Sequence, residues 1–107
     1  MSSPADLPQV QGDVAGIAEL AEAAAEGEYD ALVVRADFSQ DGVAEMEGDL
    51  VRAQEVLPLN VGSTALDLFS HMREQFAAAG QPLWTTAEVR VQGTGSATVS
   101  FAYPDPR

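Results

Sequence analysis

The sequence predicts a small α+β domain: a four-stranded antiparallel sheet with two helices packed on one of its faces. Two observations lead to this class. Two segments repeat apolar residues every three or four positions, as helices do, and four segments alternate apolar with polar residues, as half-buried strands do. These segments follow one another in the order helix, hairpin, helix, hairpin. Because each predicted strand has one apolar face, two helices on that face bury the apolar surface of the sheet.

The first helix is predicted to follow a flexible lead-in. Residues 1–12 contain prolines and serines without a hydrophobic period, which is typical of a flexible segment. Residues 13–107 are predicted to form one domain, since a chain of this length builds a single core. Asp13 is a favourable N-cap residue, and the helix is expected to run from there to Gly27 with a largely alanine face.

The first predicted hairpin comprises residues 29–39 and 43–52, joined by a tight turn at Asp41-Gly42. Side chains of a strand alternate between its two faces. The second strand therefore sends three carboxylates to the same side, those of Glu45, Glu47 and Asp49.

The second helix has the clearest apolar stripe in the chain. Residues 53–62 break the strand alternation and are predicted to be a connection leading up to this helix. Ser63 or Thr64 is expected to cap this helix, and Thr64 with Asp67 resembles a capping box in which Asp replaces the usual Glu. Gly80 is expected to end the helix as a C-cap, and Pro82 prevents it from resuming.

The last predicted hairpin comprises residues 83–92 and 96–103, with a glycine-rich turn at residues 93–95. In this register Leu83 points towards the helices and Trp84 towards the outer face. The turn lacks a following helix whose N-terminus could bind phosphate, so it is predicted to be a plain hairpin turn.

The outer face of the predicted sheet is the candidate site. We predict that it binds a partner protein through a set of charged side chains and one tryptophan: Arg35, Asp37, Glu45, Glu47, Asp49, Trp84, Glu88 and Arg90. Exposed aromatic residues ringed by charge are typical interface anchors. Trp84 therefore either anchors a partner or packs against the edge of the sheet.

The charge of the chain restricts its partners. Asp and Glu total 17 against 5 basic residues, all of them arginine, for a net charge of -12. This charge repels nucleic acid and anionic lipid, and it accelerates encounter with a basic protein. We therefore expect neither nucleic acid nor membrane as a partner. The lack of cysteine, of a signal peptide and of a long apolar stretch favours a cytoplasmic protein.

The sequence offers no evident catalytic or metal-binding constellation. The single histidine, His71, has Asp67 and Glu74 as helical neighbours, and we expect a surface histidine in local ion pairs. The three carboxylates of the second strand would span roughly 13 Å, which is too far for one metal ion without ligands from other strands. We therefore expect no enzymatic activity and no cofactor.

Nine residues from the second helix onwards carry a family resemblance: Phe76, Gly80, Gln81, Trp84, Thr85, Gly95, Phe101, Tyr103 and Asp105. In this pattern the chain resembles the YezG-type immunity proteins, most clearly over residues 63–105 and more weakly from residue 13. Its alanine-rich first helix and the Ser-Ala-Thr-Val-Ser run in the last strand depart from the family pattern. Members are small cytoplasmic antitoxins that neutralise the C-terminal domain of a polymorphic toxin, often a nuclease. The resemblance implies that function and transfers no catalytic residue.

Two main hypotheses for the function follow. The favoured one is an immunity protein whose acidic outer face occludes a basic surface of a cognate toxin domain. The alternative is a small acidic scaffold domain of housekeeping role that forms a homodimer through the same face or through a sheet edge. A third class, a ligand-binding or enzymatic domain, would require a pocket lined by ionisable groups.

Overall fold

The computed structural model describes residues 8–25, 27–40, 43–81 and 83–103, and it has an α+β fold. The elements, in chain order, are α1 (Pro8–Ala24), β1 (Ala31–Gln40), β2 (Val43–Arg52), β3 (Glu55–Pro58), α2 (Ser63–Ala78), β4 (Thr86–Gln92) and β5 (Ala97–Ala102). The predicted class, two helices with an antiparallel sheet, is confirmed. The predicted turn at Asp41-Gly42, the helix-stopping Pro82 and the resemblance residue Asp105 lie outside the described residues.

The sheet has five strands instead of the predicted four. Their spatial order is β3-β2-β1-β4-β5, and every neighbouring pair is antiparallel. The prediction of a four-stranded sheet in the order helix, hairpin, helix, hairpin is therefore wrong, because the first hairpin continues into β3 and forms a three-stranded meander. Residues 53–62, predicted to be only a connection, contain this additional strand.

The turn between β2 and β3 explains why the sequence did not indicate the extra strand. Ala53 and Gln54 form this turn with φ values of 50° and 70°. Two consecutive residues with positive φ are typical of a type I′ hairpin turn, which usually has Asn-Gly or Asp-Gly at these positions. The backbone N–H of Ala53 donates to Asp30 Oδ2 at 2.9 Å, which holds the turn against the start of β1.

The double variant Ala53→Asn/Gln54→Gly is expected to raise the free energy of unfolding by about 1 kcal/mol, because asparagine and glycine adopt positive φ at a lower cost. Urea unfolding followed by circular dichroism measures the change. Ala53→Val, which places a β-branched side chain at a positive φ, is the control and is expected to lower the same quantity. A gain from the valine variant would contradict this turn geometry.

Helix α1 begins at Pro8, so its predicted start at Asp13 is wrong. Proline suits the first turn of a helix because its φ is fixed near the helical value and no N–H bond is lost there. Val10 is fully buried, which shows that the apolar stripe of α1 extends into the predicted lead-in. Asp13 lies inside the helix rather than at its N-cap. Residues 1–7 of the lead-in lie outside the described residues.

Helix α2 matches its predicted length more closely. It runs over Ser63–Ala78 and buries four side chains at helical spacing: Ala65, Phe69, Met72 and Phe76. Its N-cap residue is Gly62 without a side-chain cap, so the predicted capping box at Thr64 is not formed. Gly80 has a φ of 72° just past the helix, as predicted for the C-terminal stop. Neither helix of the described part of the chain is long and apolar enough to cross a membrane.

Both helices pack into one hydrophobic core with one face of the sheet. The sheet contributes alternate residues that are fully buried, namely Leu32, Val34 and Ala36 of β1 and Ala87, Val89 and Val91 of β4. The period of two predicted for these strands is confirmed, and the intervening residues occupy the opposite face. The core therefore fixes which side chains remain available to a partner.

Gly48 allows the chain that follows β3 to lie close against the inner side of β2. The N–H of Leu59 donates to the Gly48 carbonyl at 2.9 Å. A Cβ atom on Gly48 would lie 2.3 Å from the Leu59 carbonyl oxygen, a backbone atom that cannot rotate away. Only glycine fits at this position of β2.

Gly48→Ala is therefore expected to lower the free energy of unfolding by about 1–3 kcal/mol, the usual range for overpacking. Chemical unfolding of the purified variant measures the loss. Gly12→Ala is the matched control, since an added Cβ on Gly12 of α1 would meet no atom within 4 Å beyond its chain neighbours and its own helix backbone. This control is expected to gain up to about 1 kcal/mol from helix propensity. Equal effects of the two substitutions would contradict the close approach of Leu59.

Candidate partner-binding face

The face of the sheet opposite the helices is the candidate site, and we call it the open face. Strand register aligns its side chains in rows across β2, β1 and β4. One row contains Glu47, Arg35 and Glu88, a second contains Asp49, Val33 and Arg90, and a third contains Glu45, Asp37 and Thr86. On the far side of β4, Ser100 and Thr98 of β5 continue the first two rows without charge. Acidic and basic side chains therefore cover the centre of the open face.

One ion pair connects β1 to β4 on this face. Arg35 Nη2 donates to Glu88 Oε1 at 3.1 Å. The two side chains are 55% and 32% exposed, so solvent screens the pair and its contribution to stability is at most about 1 kcal/mol. Arg35 also lies opposite Glu47 of β2 in the register. The arginine therefore lies between carboxylates on both neighbouring strands.

The open face carries more acid than base. Its three rows hold five carboxylates and two guanidinium groups, which leaves an excess of three negative charges. Glu45, Glu47, Arg35 and Arg90 are exposed, whereas Asp37, Asp49 and Glu88 are partly buried. A shallow depression of about 420 Å³ lies between the central row and β5, lined in part by Thr86, Glu88 and Ser100. The face is broad and shallow, a shape suited to protein contact rather than to enclosing a small molecule.

The structure brings seven of the eight predicted partner-binding residues onto the open face. The eighth, Trp84, is absent from it, so its predicted placement on the outer face is wrong. Trp84 is fully buried in the core, whereas Leu83, predicted to point inward, is 40% exposed. Strand β4 begins only at Thr86. The chain before that residue does not follow strand alternation, and the large apolar indole takes the buried position.

Trp84 is the centre of an aromatic cluster. Its ring centroid lies 5.5 Å from that of Phe38, 6.2 Å from that of Phe76 and 5.3 Å from that of Phe101. Arg73 of α2 contacts two members of the cluster. Its Nε donates to the Trp84 carbonyl at 3.0 Å, and its guanidinium lies 5.5 Å from the Phe38 ring centroid. Trp84 therefore joins α2 to the sheet. Of the two roles considered for it, packing is the one the structure supports.

His71 also has a different partner from the predicted one. Its Nδ1 lies 2.5 Å from Asp13 Oδ2 on the other helix, and its Nε2 lies 3.3 Å from Gln75 Nε2. The predicted local pairs with Asp67 and Glu74 are therefore replaced by a contact between α1 and α2. Asp13 is 8% exposed and is the one charged residue buried within the described ranges. This contact joins the helices on the side of the molecule away from the open face.

Strand β3 adds an apolar patch that was not predicted from the sequence. Val56 is 63% exposed and lies opposite Val51 of β2, on the open face. The apolar run Val56-Leu57-Pro58 is too short to indicate a strand, and the turn before it has no glycine or asparagine. The open face therefore has a charged centre and an apolar border at β3.

Metal ligands do not converge on this face or elsewhere in the described ranges, where no group of three or more His, Asp or Glu side chains could hold an ion. In the register, Glu45, Glu47 and Asp49 succeed one another along β2, each opposite a different residue of β1. Their spacing suits a surface that contacts a partner at several points.

No family model matches the chain, and no curated protein sequence matches it. The resemblance to the YezG-type immunity proteins stays a prediction. Several of the residues that carry it have structural positions: Phe76, Trp84 and Phe101 form the aromatic cluster, and Gly80 and Gly95 have positive φ. These five residues therefore support the fold, and the choice of partner rests on the open face.

Proposed function

We propose that this protein is an immunity protein that binds and neutralises a basic toxin domain through the open face. The proposal rests on the excess of carboxylates on the open face, in rows fixed by the strand register. The resemblance to the YezG-type family supports the same function. A nuclease domain, with its basic substrate-binding surface, is the class of toxin that best matches this charge.

Electrostatic attraction would give this inhibitor a fast association rate. The whole chain carries a net charge of -12, which attracts a basic domain over long distances. The carboxylates of the open face then orient the encounter, because complementary charges select the productive docking geometry. An immunity protein needs this speed, since it has to reach the toxin before the toxin reaches its target in the same cell.

The apolar border at β3 would supply the short-range part of the interface. Protein interfaces combine a desolvated apolar region with polar contacts at the rim. With Trp84 buried in the core, Val56 is the most exposed large apolar side chain on the open face. We therefore extend the proposed interface from the predicted residues to Val51 and Val56.

The open face is a poor match for a second copy of the chain. Two such faces would each bring an excess of three negative charges into contact, and like charges across an interface cost several kcal/mol. The repulsion between two open faces therefore argues against a homodimer through this face and favours a basic partner. A basic partner neutralises the charge, whereas a second copy doubles it.

Co-expression tests the proposed function. Sequencing of the adjacent reading frame first shows whether it encodes a large secreted protein with a variable C-terminal domain. That domain is then co-expressed with the chain, and growth and co-purification are measured. The proposal predicts that the chain restores growth and co-purifies with the domain. A Val56→Asp variant is expected to weaken retention of the domain at high salt, where charge attraction is screened. Toxicity that persists with a folded, abundant chain would contradict the proposal.

A further inference from the structure

The two edges of the sheet differ in how well they are protected. Edge strands expose backbone N–H and C=O groups that can pair with another strand, and proteins usually block them with charge, proline or a short length. Strand β3 has four residues, including Glu55 and Pro58. Strand β5 has six residues, Ala-Thr-Val-Ser-Phe-Ala, with none of these protective features. The β5 edge is therefore the one open to strand pairing.

The hydrogen-bond pattern identifies the backbone groups that β5 directs outward. The N–H of Gln92 donates to the Ser96 carbonyl at 2.8 Å, which sets the alternation of bonded pairs between β4 and β5. In this alternation Thr98 and Ser100 bond to β4. Ala97, Val99 and Phe101 therefore direct their N–H and C=O groups away from the sheet, and no backbone hydrogen bond found among the described residues uses them. Outward-facing Pro58, by contrast, has no N–H to offer on the β3 edge.

Charge distribution indicates the occupant of the β5 edge. The chain has 22 charged residues, yet none lies between Val91 and Pro104. Every other helix and strand contains at least one. Two copies of a chain with a net charge of -12 repel each other wherever their acidic surfaces meet. Self-association is therefore least opposed at β5, whereas a basic partner would be drawn to the charged rows.

We propose that two copies of the chain pair through β5, antiparallel and about a two-fold axis at Val99, to form a continuous ten-stranded sheet. Each outward-facing residue then meets a residue that also faces outward: Val99 meets Val99 of the second copy, and Ala97 meets Phe101 of the second copy. Such a self-complementary contact is the kind that closes a two-fold dimer. The proposal does not rest on toxin binding, because it leaves the charged rows of the open face uncovered.

The proposed register makes a specific prediction about side chains on the open face. Thr98 lies opposite Ser100 of the second copy, in a pair whose Cβ atoms are about 5 Å apart. Both residues are exposed and uncharged, so neither opposes the pairing. A six-residue strand engages fewer residues than the roughly 20–30 a side of a standard interface. The dimer is therefore expected to be weak and dependent on concentration.

Sedimentation equilibrium over roughly 10 µM to 1 mM chain tests the proposal, a range that covers weak self-association. The mass of the wild-type chain is expected to rise from 11.2 kDa towards twice that value. Thr98→Glu/Ser100→Glu sets like charges opposite each other and is expected to weaken dimerisation at least about tenfold. Thr98→Glu/Ser100→Lys sets opposite charges together in the same register and is expected to restore or strengthen the dimer.

Ser63→Glu/Thr64→Glu is the charge-matched control, since both residues are exposed at the start of α2, which follows β3 at the opposite edge of the sheet. It is expected to dimerise like the wild type within about threefold, because screening limits distant charges. Circular dichroism checks that each variant is folded. A wild-type mass that stays at 11.2 kDa, equal loss in the control, or no recovery in the Glu/Lys variant would each overturn the proposal.

Discussion

Reversing three carboxylates of the open face, in the variant Glu45→Lys/Glu47→Lys/Asp49→Lys, is expected to slow association with the toxin domain by about 10- to 100-fold at low salt. These residues succeed one another along β2, and the register places each opposite a different residue of β1. The reversal changes the net charge of the three rows from -3 to +3 and leaves the Arg35–Glu88 pair in place. Stopped-flow or surface plasmon resonance measurements give the association rate as a function of salt.

A control has to separate a local effect from the change in total charge. Glu19→Lys/Glu22→Lys/Asp67→Lys makes the same change in net charge on exposed positions of α1 and α2, away from the open face. It is expected to slow association by less than about threefold, because charges beyond the Debye length of about 8 Å are largely screened at physiological salt. Equal slowing by both triple variants would show that total charge, rather than the open face, governs the encounter.

Trp84→Ala is expected to have the largest effect on stability, a loss of about 3–5 kcal/mol in the free energy of unfolding. The side chain is fully buried and its ring lies near three phenylalanine rings from β1, α2 and β5. Removing it leaves a large cavity between the helix and the sheet. This loss is a sizeable part of the total stability of about 5–15 kcal/mol that is usual for a small domain. Urea unfolding followed by far-UV circular dichroism measures it.

Two further variants locate the cause of this loss. Leu83→Ala changes the neighbouring residue, which is 40% exposed, and is expected to cost less than about 1 kcal/mol. Trp84→Phe is expected to cost well under half as much as Trp84→Ala. Among the described residues Trp84 Nε1 is the one buried side-chain polar atom without a hydrogen-bond partner, and phenylalanine removes that N–H along with some area. A larger loss from Leu83→Ala than from Trp84→Ala would favour the opposite orientation of the two residues.

The sequence was informative where one physical rule dominates. Alternation in β1, β2 and β4 follows from burial of one sheet face, and it placed seven charged residues on the open face correctly. The spacing of Phe69, Met72 and Phe76 likewise identified the buried side of α2. The same rules apply within each element independently of its neighbours, so they hold without knowledge of the tertiary structure.

The errors came from places where tertiary packing overrides a local rule. Trp84 precedes β4, where alternation no longer applies, and its area favours the core over the open face. Ala53 and Gln54 adopt positive φ, although neither is a residue type typical of such a turn. The sequence therefore did not predict β3. Asp13 is a residue type that often caps helices, but it lies inside α1 and pairs with His71 of α2. None of these positions has a local sequence signal strong enough to predict the outcome.

Backbone amide NMR, which maps the toxin contact on the chain, tests the proposed interface most directly. Isotopically labelled chain is titrated with the unlabelled toxin domain, at a concentration where the chain is monomeric. The largest shift changes are expected on alternate residues of β1, β2 and β4, centred on Arg35, Glu47 and Glu88, with a smaller group at Val51 and Val56. Changes confined to α1 and α2, with the open face unaffected, would contradict the proposed interface.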